Sequence, residues 1–129
     1  MPRRHQDWSS QAERDLDAAG NSLGHGNYEW AAFQAQQAAE KALKAVLLFF
    51  NREERYHSIV QLLNEVQKFA EVPKPLAEAA RELDRHYIQT RYPNGFAEGY
   101  PAQYYDEKLA NECVSHARNI IEFANRTIA

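Results

Sequence analysis

The residues best equipped for chemistry crowd into one stretch in the second half of the chain. Five of the seven tyrosines, Tyr87, Tyr92, Tyr100, Tyr104 and Tyr105, lie there with Phe96. Arg85, His86 and Arg91 stand at its near end, and Asn94 follows. Aromatic faces stack on nucleobases, and guanidinium groups fork onto phosphate oxygens. Arg85, Tyr87, Arg91, Tyr92 and Asn94 are therefore expected to line a nucleotide or single-stranded RNA site. Lys41, which shares a helix face with Gln37 and Lys44, adds a cation that would neutralise a phosphate. Each residue also has a plainer reading. The tyrosines would pack a long loop or a dimer seam. Arg91 would cap the carbonyls of a preceding helix. The lysines would form a solvated face, with Glu40 and Lys44 paired at i,i+4.

Other chemistries find little support. His5, His25, His57, His86 and His116 are scattered, with no HxxxH or CxxC spacing, so no metal site or cofactor is expected. His57, just ahead of a serine cap, is read as structural. There is no glycine-rich phosphate loop, nucleophile elbow or dinucleotide fingerprint. Cys113 is the lone cysteine. It cannot form an intramolecular disulfide, and its neighbours Leu109, Val114 and Ala117 suggest a buried, inert thiol. The net charge of −3 excludes a basic nucleic-acid coat, so any such contact must come from a local patch. The longest strongly apolar run, residues 45–50, is too short to cross a bilayer. No apolar leader follows Met1-Pro2-Arg3-Arg4-His5. A cytoplasmic protein with no membrane partner is expected.

Helical periodicity supplies the scaffold. Trp8, Ala12, Leu16, Ala19 and Leu23 mark one face of a first helix, which Gly24-His25-Gly26-Asn27 ends. A second, longer helix spans residues 28–50. Its Ala31, Ala35, Ala38, Ala42 and Ala45 form a ridge of small residues that lets a neighbour approach closely. After the charged connection of residues 51–55, Ser58 caps a short helix carrying Ile59, Leu62, Leu63 and Val66. Pro75 opens a further helix with Leu76, Ala80, Leu83 and Tyr87 on its apolar face. That helix is predicted to run on to Tyr92-Pro93-Asn94-Gly95. An irregular segment leads to a last helix over residues 104–127, marked by Leu109, Cys113, Ala117, Ile120 and Ala124. With no alternating strand pattern, the expectation is an all-α, up-and-down bundle of about five helices in one domain over residues 1–129.

The sequence Gly26-Asn27-Tyr28-Glu29-Trp30-Ala31-Ala32-Phe33-Gln34-Ala35-Gln36-Gln37-Ala38-Ala39-Glu40-Lys41-Ala42-Leu43-Lys44-Ala45 closely resembles the second-helix signature of HEPN domains. Trp8, Ala12, Asp15-Leu16 and Ala19 fit that family's first helix, and His57-Ser58-Ile59 with Leu62-Leu63 resembles the start of its third. Leu83-Asp84-Arg85-His86-Tyr87-Ile88-Gln89-Thr90-Arg91-Tyr92-Pro93-Asn94 is similar to a motif in one branch of small prokaryotic members. The resemblance runs through nearly the whole chain in order.

That resemblance implies a helical bundle that commonly forms homodimers. It implies, for many members, pairing with a minimal nucleotidyltransferase, and for others nucleotide binding. In some toxin–antitoxin pairs it implies a metal-independent ribonuclease. The ribonuclease branch places a His after an Arg, with four to six residues between. After Arg91 those positions hold Phe96, Ala97 and Glu98, so the usual proton carrier is absent. Arg81 and His86 meet the spacing in form. Within a predicted helix, however, they would point about 140° apart. The leading expectation is a dimeric partner of a minimal nucleotidyltransferase with a nucleotide or RNA groove near Arg91. The alternative is a ribonuclease toxin using Arg91 with His86, or with a tyrosine such as Tyr92.

Overall fold

The computed structural model describes residues 4–129; residues 1–3, where the leader reading begins, lie outside it. Every regular element among the described residues is helical. In chain order they are α1 (Arg4–Gly24), α2 (Tyr28–Phe49), α3 (Ile59–Val66), α4 (Lys74–Asp84), a 3-10 turn (Pro93–Gly95), α5 (Pro101–Tyr104) and α6 (Glu107–Ile128). None is long and apolar enough to cross a membrane.

Helix α2 is the axis of the bundle, packing most extensively against α1 and α6. The alanine ridge makes this possible. Ala31, Ala35, Ala38 and Ala45 have no exposed surface, and neither do Ala32 and Ala39 on an adjoining face. Small residues on the partners, Ala12 and Ala19 of α1 and Ala110, Ala117 and Ala124 of α6, are buried too. With small side chains on both sides, the backbones come close and Leu43, Val46, Leu47 and Ile120 fill the remaining space. All the longer helices feed one continuous apolar cluster.

Local chemistry sets the breaks. Gly26 adopts φ +81° in the turn between α1 and α2, where a side chain would be strained. Asn51 takes φ +62° at the exit from α2. Arg52 N–H then turns back to the Leu47 carbonyl at 2.8 Å, closing the helix. Ser58 caps α3 as expected, its hydroxyl accepting from Gln61 N–H. Pro75 lies in the first turn of α4.

Two predicted boundaries are corrected. Helix α4 stops at Asp84 rather than running to Tyr92. Beyond it the Thr90 hydroxyl donates to the His86 carbonyl at 2.8 Å, and the Arg91 side chain donates to the Tyr87 carbonyl. Side chains thus take acceptors that a continuing helix would have given to backbone amides. The last helix starts at Glu107, not Tyr104. Residues 101–104 form their own turn, and Asp106 caps α6 by accepting from Leu109 N–H at 2.9 Å.

Candidate functional site

Arg91 is the centre of a corner where aromatic and cationic side chains converge as expected. Its guanidinium carbon lies 4.2 Å from the Phe33 ring centroid, 4.9 Å from that of Tyr87 and 5.3 Å from that of Tyr92. Nε and Nη2 donate to the Tyr87 carbonyl at 3.1 and 2.7 Å. The capping role and the aromatic role therefore coexist. The carbonyl and rings fix the guanidinium plane, while no protein acceptor engages Nη1 among the described residues. Arg91 is half-buried, and Tyr92 is 49% exposed.

The corner extends onto a histidine that sequence reasoning set aside. The His57 imidazole stacks on Tyr87, with centroids 5.2 Å apart. Its Nδ1 stands 3.3 Å from Glu40 Oε2. Glu40 is buried on α2 and also holds Lys44 Nζ at 2.9 Å. Fully buried Gln36 donates to the His57 carbonyl at 3.0 Å and accepts from Gln37 at 2.7 Å. This polar chain fixes the 51–58 connection against α2. Beside it opens a hollow of about 420 Å³ lined by Trp8, Lys44, Glu53, Glu54, Arg55 and His57 among others. The Lys44 ammonium sits 5.6 Å from the Trp8 ring centroid.

Asp84 positions the whole corner. Its carboxylate accepts from Ile59 N–H at 2.6 Å, Val60 N–H at 3.1 Å and the Ser58 hydroxyl at 2.8 Å. The last residue of α4 thereby anchors the first turn of α3, and with it the residue before the cap, His57. A carboxylate at that position satisfies amides a helix start leaves free.

The other expected site residues disperse. Lys41 forms an ion pair with Asp15 at 2.5 Å, tying α2 to α1 beside a smaller cavity of about 190 Å³ that also includes Trp8 and Gln11. Arg85 is exposed and paired with Glu82 at 2.7 Å. Asn94 is exposed in the 3-10 turn. The tyrosines divide as well. Tyr104 stacks on Phe96 at 4.1 Å and bonds the Glu98 carbonyl, packing the loop on itself. Tyr105 is buried.

His86 is not brought to Arg91. Only 6% exposed, it shares a 2.7 Å hydrogen bond between Nδ1 and the Tyr105 hydroxyl. Burial holds its pKa below the ordinary histidine value, with Arg85 and His116 adding to the shift and Glu82 opposing it. Burial likewise pushes the Tyr105 hydroxyl up, and the Cys113 thiol up to about 12. The expectation of an inert cysteine holds. His86 has a packing role, because its ring faces the interior, past the end of α4 rather than on a helix with Arg81.

Known proteins share this fold. The crystal structure of TT1696 from Thermus thermophilus matches with a TM-score of 0.95 at 41% identity, over 98% of this chain and 99% of that one. That of ST0689, an archaeal HEPN homologue, gives 0.83 at 40% identity over the full length of both. An HEPN domain protein from Thermotoga maritima, tm0613, gives 0.76 at 32% identity over 93% and 95%. In sequence, the chain is 30% identical over 121 residues to a Methanocaldococcus jannaschii protein named "Putative toxin MJ1304", spanning 87% of this chain and 80% of that protein. The family model described as HEPN domain matches residues 5–127. The chain belongs to the HEPN domain family.

Proposed function

We propose that this HEPN protein is a cytoplasmic homodimer that binds a nucleotide or single-stranded RNA at the Arg91 corner and works as the partner of a minimal nucleotidyltransferase. One observation carries the reading: a guanidinium ringed by Phe33, Tyr87 and Tyr92, tied through Nε and Nη2 to the Tyr87 carbonyl, with no protein acceptor on Nη1 among the described residues. A planar cation pre-set in this way meets phosphate oxygens without first losing side-chain freedom. The half-exposed Tyr92 offers a ring on which a base stacks. A fluorescence titration with a labelled single-stranded RNA tests it. Binding that weakens as salt rises, and falls in Arg91→Ala, supports the reading. Salt-independent binding, or binding indifferent to Arg91, contradicts it. Affinity capture from the source cell, with the nucleotidyltransferase as the named catch, tests the partnership.

A second reading is favoured by the relative named as a toxin: the chain cuts RNA and its partner restrains it. Growth arrest on expression, relieved by Arg91→Ala, supports that reading, and harmless expression counts against it.

A further inference from the structure

Glu40 is a buried carboxylate, and its Oε2 holds Lys44 on one side and His57 Nδ1 on the other. A carboxylate only accepts, so Nδ1 is the protonated nitrogen and Nε2 is left as the acceptor. Tyr87 stacks on the ring and limits its rotation, yet the His57 side chain is 61% exposed and lines the 420 Å³ hollow. An imidazole oriented by a buried acid, with its second nitrogen free beside a cavity, has the form of a general base. It also shares the Tyr87 ring with Arg91. His86 has none of these properties.

We propose that His57, positioned by Glu40, is the proton acceptor for a ribose 2′-hydroxyl of single-stranded RNA lying across the hollow and the Arg91 corner. This rests on the ribonuclease reading and supplies the group missing from the positions after Arg91. Nε2 takes the 2′-hydroxyl proton as the 2′-oxygen bonds to the adjacent phosphorus. The bond from phosphorus to the 5′-oxygen breaks, and that oxygen takes the proton back from the imidazolium. The products are a 2′,3′-cyclic phosphate and a 5′-hydroxyl end, with His57 neutral again. Arg91, across Tyr87, supplies positive charge as the phosphate's charge develops; Lys44 and Arg55 line the hollow with His57 but are paired with Glu40 and Glu53. Arg4, Glu53 and Glu54 complete the charged surroundings of the ring.

The test incubates the full chain with a labelled single-stranded RNA and, separately, its 2′-deoxy counterpart. The wild-type chain is expected to release cyclic-phosphate ends from RNA only. His57→Ala is expected to cut at least about 100-fold more slowly while still binding RNA, and free imidazole is expected to restore part of the rate. Gln36 bonds the His57 backbone rather than its ring, so the alanine variant keeps that tether, and a thermal melt checks that it folds. Glu40→Gln is expected to lower kcat while leaving KM for RNA unchanged, a split that a purely structural role would not produce. RNA bound through Arg91 but left uncut overturns the proposal while leaving the binding reading intact. So does cutting by His57→Ala at the wild-type rate. No RNA binding by the wild-type chain overturns both.

Discussion

The imidazole of His57 stacks on the phenol ring of Tyr87, with planes 15° apart and centroids 5.2 Å apart. That contact joins the connection after α2 to the corner after α4. It makes one face of Phe33, Glu40, Lys44, His57, Tyr87 and Arg91, residues spread over half the chain. Two features hold it: the Asp84 carboxylate on the first turn of α3, and the Glu40 carboxylate under His57.

Asp84→Asn is expected to destabilise the fold by about 2–3 kcal/mol, because it weakens a charged cap with three donors. It is also expected to slow RNA cleavage by loosening His57. Urea unfolding checks the first effect and a cleavage assay the second. A variant as stable as wild type would show that α3 is held by its apolar face alone.

Ala38→Asp is expected to abolish cooperative folding. Ala38 is wholly buried on the α2 ridge, and an unpaired charge there costs about 4 kcal/mol or more, much of a typical domain's stability. Leu16→Asp, at a half-buried position, is expected to be milder, lowering the melting temperature without removing the transition. Thermal circular dichroism distinguishes the two.

Stability is expected to fall as pH drops below about 6.5, and His86 is a cause. Burial depresses its folded pKa below the ordinary 6.5, so the unfolded chain binds the proton more readily. The stabilisation is complete above the unfolded value and is lost on acidification toward the folded one. His86→Asn is expected to lower stability at pH 7.5 and to flatten its pH dependence between about 7 and 5. Glu82, Arg85, His116 and Tyr105 surround the ring and are unchanged in that variant. An unchanged slope would assign the acid sensitivity to other groups.

The parts of the fold that were legible in the sequence are the local ones. The α2 alanine ridge, the Ser58 cap and Pro75 at the start of α4 are fixed by neighbours a few residues away. The end of α4 was not legible, because Thr90 and Arg91 side chains replace backbone amides and the apolar spacing through Tyr87 continues past the break. At the corner, the grouping of Arg91 with Tyr87 and Tyr92 was legible from residue type. Lys41 and His86 matched by type, but Asp15 and Tyr105 occupy them. The place of His57 at this corner was not legible because its partners, Glu40 and Tyr87, are distant in sequence. A histidine ahead of a cap, with a glutamate on a neighbouring small-residue helix, was the available signal.

Arg91→Lys is expected to weaken RNA binding roughly tenfold, since an ammonium keeps the charge but loses the planar stack and fork. Tyr92→Ala is expected to weaken it by about 1–3 kcal/mol per stacked base with little change in stability. Parallel titrations and melts separate these effects. Lysine binding as well as arginine would reduce the corner to simple charge attraction.

The most direct measurement is a nitrogen–proton NMR spectrum of the labelled chain during addition of a short single-stranded RNA. The Arg91 side-chain Nε–H signal and the backbone signals of His57, Tyr87 and Tyr92 are expected to shift together and saturate. Those near His86 and Tyr105 are expected to stay still. Shifts confined to other surfaces, or no shifts at saturating RNA, would contradict the assignment of this corner as the binding site.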